Sequence, residues 1–448
     1  LTKITLLIEI VRPRKKRGRT ALRFEMSQEK DKLNAWLDFV LASHPESTIE
    51  LGLARMKTML SRMNITFDCP VITVAGTNGK GSTCAMLESI YKAAGYKTAK
   101  HTSPHMLRFN ERACINGVDV DDATLVEGFK AVEAVRDGLG LTYFEYTALA
   151  ILKVFQLAKP DVVILEIGLG GRLDAINALE STASIVTTVG IDHEAYLGNT
   201  RDSIGWEKAH IYRAGQPAVC ADRHPPEKLL QYAKALETDL YVYGQDFDIK
   251  EVTNDEWQFV FGKEIWPVCP PALAGVNQKD NAAGVLALVY LLQDKLHVEP
   301  KAIIEGLKTV KLKARFETIA QNPTIILDVG HNPHAAAVLA QNVEKLPSIG
   351  KLIAVFGMLA DKDMIDVIKL MNPCVDEWFI SGLPKPRGAD CELLHRTMLE
   401  AGVDHSKIKR FETIESAFDA ARQEASITDK ILVFGSFVTV TAVLAKLA

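Results

Sequence analysis

The chain has 448 residues, 48% of them hydrophobic and 24% charged, with a formal net charge of −4. That length exceeds one ordinary core and predicts two or three domains of globular composition. The near-neutral balance gives no footing for a nucleic-acid or acidic-membrane partner, and no run reaches the roughly 18 apolar residues of a membrane span.

Seven cysteines (Cys69, Cys84, Cys114, Cys220, Cys269, Cys374 and Cys391) are scattered, with no Cys-x-x-Cys pair. They argue against a zinc ribbon or disulfide framework and for a reducing cytoplasm. Residues 1–26 place the apolar Ile4-Thr5-Leu6-Leu7-Ile8 before the basic run Arg12-Pro13-Arg14-Lys15-Lys16-Arg17, the reverse of a signal peptide. The first methionine is Met26. These residues are expected to be an extension, disordered or not translated, with a basic binding tail as the alternative.

Residues 27–41 carry apolar side chains at helical spacing: Leu33, Trp36, Leu37, Val40 and Leu41. A second amphipathic helix follows the segment 49–55 and is expected to end near Met63. Residues 71–75, Val-Ile-Thr-Val-Ala, form an apolar β run. Gly76-Thr77-Asn78-Gly79-Lys80-Gly81-Ser82 comes next, then helical spacing over 83–90. Strand, glycine loop and helix start make a phosphate cradle. Glycines let backbone N–H groups approach phosphate oxygens, and the helix N-terminus adds positive potential. Lys80 would meet the β- and γ-phosphates as a point charge. The loop departs from a strict Walker A pattern: Val74 stands where its first glycine belongs, and Gly81 separates Lys80 from Ser82. The plainer alternative is a tight turn with a solvated lysine.

Residues 97–100 read as a short strand with Thr102-Ser103-Pro104-His105 as its exit turn. A polar segment, Arg108-Phe109-Asn110-Glu111-Arg112, and a helix fill 106–140, and another helix spans 144–157. Residues 161–166 form a buried strand closing on Glu166, and 183–190 another, leading to Ile191-Asp192-His193. The alternation continues to about residue 225 and predicts a parallel sheet covered on both faces, with functional groups at the carboxyl ends of its strands. The glycine loop, Ser103, Glu166 and His193 fall there. Glu166 is a candidate Mg²⁺ ligand, because that ion takes hard oxygens, phosphate and water; otherwise it caps the following glycine turn. Ser103 reads most simply as a turn serine, and His193 as a structural hydrogen-bonder or a ligand. Glu207-Lys208-Ala209, at an expected helix start, reads as a solvated charge pair.

Short antiparallel strands are expected over 240–270, a helix carrying Asn281 over 279–295, and a basic linker over 308–315. A second alternating unit starts at Thr324, with strands over 324–329, 351–356, 377–381, 408–411 and 430–434. In Asp328-Val329-Gly330-His331-Asn332-Pro333-His334, Asn332 is an expected helix cap with proline behind it. Asp328 and His331 are candidates for contact with a nucleotide ribose or base. The expected organisation is an extension (1–26), a P-loop-type doubly wound, mostly parallel sheet domain (27–307), a hinge (308–316) and a smaller Rossmann-like α/β domain (317–448).

Together these residues resemble the folylpolyglutamate synthase/dihydrofolate synthase family of the Mur ligase superfamily, from about Ser27 to the C-terminus. The markers are Val-Ala-Gly-Thr-Asn-Gly-Lys-Gly-Ser at 74–82, Ser-Pro-His at 103–105, Arg-Phe-Asn-Glu-Arg at 108–112 and Glu-Ile-Gly-Leu-Gly-Gly-Arg-Leu-Asp at 166–174. Asp-His at 192–193, Glu-Lys-Ala at 207–209, Ala-Arg-Phe at 314–316 and Asp-Val-Gly-His-Asn-Pro-His at 328–334 complete them. The resemblance implies that Gly79, Lys80, Gly81 and Ser82 hold the ATP phosphates, and that Asn281, Arg315 and Asp328 contact ATP. It implies one Mg²⁺ on Ser103 and Glu166, a second on His193, and a metal-binding carbamate on Lys208. Leu51, Gly52, Leu53 and Ala54, with Phe144, Glu145, Arg172 and Asp174, would line a pterin site. The chain departs from the family at His210, Ala195 and Ile176, where glycine, an acid and threonine are usual.

The expected activity is ATP-driven amide formation through an acyl phosphate, with Lys80, Lys208 and His193 at the reacting centre. L-Glutamate would join dihydropteroate and then the γ-carboxylate of folates, in a monomer that also responds to K⁺. The rivals are a peptidoglycan-precursor ligase acting on a UDP-sugar peptide, and a non-catalytic nucleotide switch.

Overall fold

The computed structural model describes residues 32–44 and 50–448. The extension expected over 1–26 and the start of the helix expected over 27–41 lie outside the described residues; the helix is seen as Leu33–Ser43.

Eight strands form the first sheet: β1 (Val71–Ala75), β2 (Thr98–His101), β3 (Ala113–Ile115), β4 (Val118–Asp119), β5 (Val162–Glu166), β6 (Ala183–Val186), β7 (Pro217–Cys220) and β8 (Asp239–Val242). Their order is β4-β3-β2-β5-β1-β6-β7-β8. All pairs are parallel except those made by β3 with β2 and with β4. β1, β5 and β6 are buried along their whole length. A central strand covered on both faces needs such an unbroken apolar run.

Helices cover both faces of this sheet. On one, Trp36, Met59, Phe129, Tyr146 and Phe155 fill the core; on the other, Met86, Tyr91, Val285 and Leu286 do so. Helix Tyr143–Ala158 starts at a capping box in which Thr142 and Glu145 satisfy each other's backbone N–H groups. An antiparallel meander, β9 (Phe247–Glu251), β10 (Trp257–Phe261) and β11 (Glu264–Val268), lies against helix Gln278–Leu291, where Phe261 stacks on Tyr290.

The second large sheet contains β12 (Glu317–Ala320), β13 (Thr324–Leu327), β14 (Leu352–Phe356), β15 (Glu377–Ser381), β16 (Ile408–Phe411) and β17 (Lys430–Phe434), in the order β12-β13-β17-β14-β15-β16. Only β12 runs antiparallel. Its two faces carry separate cores, one around Trp378 and Phe356, the other around Phe379 and Phe418. No helix among the described residues is long and apolar enough to cross a membrane.

The sequence misses three elements. β3, β4 and β12 are strands of two to four residues at or next to a sheet edge, too short for an alternating pattern to register. Of the strands expected to be antiparallel over 240–270, β8 instead runs parallel beside β7 in the first sheet. The strand expected over 183–190 stops at Val186, and 187–193 form the loop that carries Asp192 and His193. Glu207-Lys208-Ala209 closes helix Arg201–Ala209 instead of starting one. That helix begins after Thr200, whose hydroxyl accepts the Ser203 N–H, so Lys208 sits roughly two turns beyond its cap. Helix Pro300–Thr309 occupies the start of the expected linker, and the segment after it holds Ala314 and Phe316 at positive φ.

Helix Pro300–Thr309 also buttresses the helix that follows the glycine loop. A Cβ placed on Gly306 would lie 2.5 Å from the Ile90 Cα. Backbone cannot yield as a flexible side-chain end can. Gly306→Ala is expected to cost about 1–3 kcal/mol, the usual range for overpacking. Urea unfolding reads this directly, and an unchanged midpoint contradicts the close helix contact.

Candidate active site

The carboxyl ends of β1, β2, β5 and β6 open into a cavity of about 960 Å³ whose far wall comes from the second sheet's loops. The glycine loop forms its floor. Gly79 has φ +87°, and a Cβ there would lie 2.3 Å from Asn281 Oδ1, so the position requires glycine twice over. Helix Lys80–Ala93 starts at once, and its first residues, Lys80, Gly81 and Ser82, line the cavity. Lys80 Nζ donates to the carbonyls of Gly76 at 3.0 Å and Thr77 at 3.2 Å. Lys208 Nζ donates to the same Gly76 carbonyl at 3.0 Å. Lys208 is only 4% exposed. Burial first, and then the charge of Lys80, bring its pKa down to about 7.

Glu166 ends β5 inside this floor, 5% exposed. Its Oε2 accepts the Ser103 N–H at 3.1 Å, next to a cis Ser103–Pro104 peptide. Burial raises its pKa, and Lys80 and the Ser103 N–H oppose the rise. Ser103, Glu166, His193 and Lys208 all line the one cavity with Lys80. His193 keeps about 34% of its side chain open. Burial of the remainder lowers its pKa to about 3 despite Asp192 beside it, so the imidazole is neutral at physiological pH and retains a lone pair.

This donor set suits magnesium. A buried carboxylate and a hydroxyl are hard oxygens, and Mg²⁺ completes its shell with phosphate and water. Among the described residues no group of three or more His, Cys, Asp or Glu is gathered, and a phosphate-bridged Mg²⁺ needs none.

The second sheet's loops supply Arg315, Asp328 and His331 to the far wall. Asp328 is held by the N–H groups of Gly330 at 2.7 Å and Phe316 at 2.8 Å. Arg315 lies over the Phe437 ring, 5.5 Å from its centre. His331 Nδ1 contacts the Val329 carbonyl at 2.8 Å, and burial lowers its pKa to about 4. Asn281, 3% exposed, donates to Gln278 Oε1 at 3.0 Å.

Of the residues assigned to a pterin site, Leu51, Gly52, Phe144, Glu145 and Asp174 line the cavity, whereas Leu53, Ala54 and Arg172 do not. Asp174 accepts N–H groups from Gly168, Leu169 and Ile176. Glu145 is engaged by Arg55 as well as by its capping role. Arg172 instead pairs with Glu207 at 2.9 Å and lies over the Trp206 ring. His210 stacks on Tyr232 and meets Trp206 edge to face. Its Nδ1 meets the Trp206 carbonyl at 2.7 Å, within the helix that presents Lys208.

Sequence reasoning missed several lining residues, among them Arg112, Gln278, Asn342, Lys362 and Arg387. Arg112 lies in the polar segment 108–112, where nothing in the local pattern gives it a role. Lys362 lies in Asp361-Lys362-Asp363, which reads as solvated surface. Only the tertiary fold brings its Nζ to 2.5 Å from Asp192 Oδ1.

Residues 314–437 match the family model described as Mur ligase, glutamate ligase domain. The chain is 38% identical over 414 residues to the dihydrofolate synthase/folylpolyglutamate synthase of Escherichia coli K12, covering 92% of this chain and 94% of that one. It matches the structure of E. coli FolC in complex with DHPP and ADP at a TM-score of 0.87 and 37% identity, covering 94% and 99% of the two chains. A bifunctional folylpolyglutamate synthase/dihydrofolate synthase with Mn, AMPPNP and L-glutamate bound matches at a TM-score of 0.85 and 37% identity, covering 94% and 99%.

A lysine whose pKa lies near 7 reacts as a free amine at pH values where ordinary lysines stay protonated. Cyanate labelling of the lysines, mapped by peptide mass spectrometry, is expected to show Lys208 reactivity rising through about pH 7. Reactivity that appears only above about pH 9, as for an unshifted lysine, contradicts the buried two-lysine geometry.

Proposed function

The chain belongs to the dihydrofolate synthase/folylpolyglutamate synthase family of ATP-dependent glutamate ligases, and from that premise we propose that its cavity joins L-glutamate to dihydropteroate and then to the γ-carboxylate of a folate. One observation supports the site assignment. A single cavity takes Lys80, the buried Glu166 carboxylate and the buried Lys208 from one sheet unit, and Arg315, Asp328 and His331 from the other.

The acceptor's carboxylate attacks the γ-phosphate, giving an acyl phosphate and ADP. The α-amine of glutamate then attacks the acyl carbon, the amide forms and phosphate leaves. Gly79, Gly81 and Ser82 hold the phosphates through the loop and helix start, and Lys80 offsets charge on the transferring group. Arg315 adds a cation from the opposite wall. Asp328 takes a ribose hydroxyl, and Asn281 with Asn342 lines the space for the base. Phe144 supplies an aromatic face for the pterin. Lys362 and Arg387 supply positive charge for the carboxylates of glutamate. Walls from both sheets keep water from the acyl phosphate, which hydrolyses readily.

Ser103 and Glu166 would hold one Mg²⁺, and His193 a second with Lys208. When bound, these ions neutralise phosphate charge and polarise the γ-phosphoryl group. Lys208 fits conversion to a carbamate: its amine is partly neutral near pH 7, and carbamylation removes the repulsion from Lys80. A hinge over 308–316, between units 27–307 and 317–448, would open the cavity for substrates. K⁺ dependence belongs to the same proposal, as does a monomer acting in a cytoplasm that keeps its seven free thiols reduced.

Phosphate release is the test, run with ATP and L-glutamate against dihydropteroate, tetrahydrofolate and a UDP-sugar peptide. Release stimulated by the two pterins and not by the sugar peptide is expected. Stimulation by the sugar peptide alone points to a cell-wall ligase, and no stimulation to a nucleotide switch. Glu166→Gln is expected to slow amide formation by about 100-fold or more. Excess chelator should abolish the reaction until Mg²⁺ is restored.

A further inference from the structure

The glycine loop is tied to the opposite wall by the side chains of Asn78, Asn332 and His334, none of which the proposed chemistry uses. Asn78 Nδ2 lies 3.1 Å from Asn332 Oδ1 and 3.0 Å from His334 Nδ1. Asn332 answers: its Nδ2 donates to Asn78 Oδ1 at 3.2 Å and to Asp192 Oδ2 at 3.0 Å. Its Oδ1 also accepts the Ala335 N–H at 2.9 Å, capping helix Pro333–Glu344. Asp192 is fixed in turn by Lys362.

An asparagine amide has two N–H donors and one oxygen with two lone pairs. At 2% exposure, Asn332 uses all of them. Three of its four bonds cross from one sheet unit to the other. The cap needs only the oxygen, and serine or aspartate would serve it as well. The NH₂ group has work only across the cleft. Both crossing partners adjoin the reaction: Asn78 precedes the phosphate-binding Gly79 and Lys80, and Asp192 precedes His193.

We propose that Asn332, through Asn78 and Asp192, is a positioning residue that latches the two walls together while the acyl phosphate exists, and so keeps that intermediate from water. The inference rests on the ligase reading above. When the α-amine attacks the acyl carbon, a C–N bond forms, the C–O bond to phosphate breaks, and one phosphate appears per amide. When water attacks, the free acid is regenerated, and phosphate appears with no amide. A loosened latch therefore shows as wasted ATP.

Two variants separate the latch from the cap. Asn332→Asp keeps the capping oxygen but turns a second oxygen toward Asp192 and Asn78 Oδ1. Asn332→Ser keeps a cap and removes the amide without adding charge. Phosphate and amide are measured together, with ATP, dihydropteroate and L-glutamate. The native chain should release one phosphate per amide. Both variants should raise that ratio by about threefold or more, Asn332→Asp further than Asn332→Ser. Phosphate and amide falling together at a constant ratio would assign Asn332 a structural role only and overturn the proposal, as would no change at all. Should Asn332→Asp fail to fold, Asn332→Ser and, from the other wall, Asn78→Ser give the same readout. Absence of amide from the native chain is a different failure: it removes the ligase reading itself, and the latch with it.

Discussion

Two ammonium groups, those of Lys80 and Lys208, share one carbonyl oxygen on the floor of a buried cavity. Like charges removed from water repel strongly and gain little from a single neutral acceptor. The response is visible in Lys208, whose proton is held no more tightly than about pH 7 allows. Such a site is incomplete without anions. The fold is arranged to receive them: β1 delivers the Gly76 carbonyl and then the glycine loop, and helix Lys80–Ala93 turns its N-terminus to the same space. Glu166 ends the neighbouring β5, and among the groups that oppose the burial of its carboxylate the charge of Lys80 comes first.

That floor alone would bind a phosphate chain and leave it wet. The second sheet closes the opposite side with side chains rather than bulk. Arg315 and Asp328 come from the two ends of the short β12–β13 hairpin, and His331 from the turn that starts helix Pro333–Glu344. The join is polar and directional: amides, a buried ion pair and imidazoles meet across it. Polar contacts of this kind fix geometry when formed and cost little to open to water, unlike a packed apolar seam. A ligase that must admit substrates and then protect an acyl phosphate gains from such a join.

Much of this was legible in the chain. The apolar run at 71–75, the glycines after it and the carboxylate at 166 are local patterns, and local patterns survive without tertiary knowledge. Asn332 was legible as a cap for the same reason, because the following proline and helix lie beside it in sequence. Its amide bonds to Asn78 and Asp192 were not, since they span 254 and 140 residues. Glu207-Lys208-Ala209 reads as a helix start although it ends one, because Glu-Lys-Ala looks alike at either end of a helix. The informative signal was Thr200 with Ser203, a capping box upstream. The short strands β3, β4 and β12 carry too few residues to show a period, so pairing alone defines them.

The central claim is that the cavity activates a carboxylate by transferring the γ-phosphoryl group to it. Labelling tests that step directly. With both carboxylate oxygens of dihydropteroate enriched in ¹⁸O, and unlabelled ATP and glutamate, one of them must leave on the released phosphate. Mass analysis of that phosphate should find one ¹⁸O atom per phosphate. Phosphate released alongside amide but free of ¹⁸O would contradict the account.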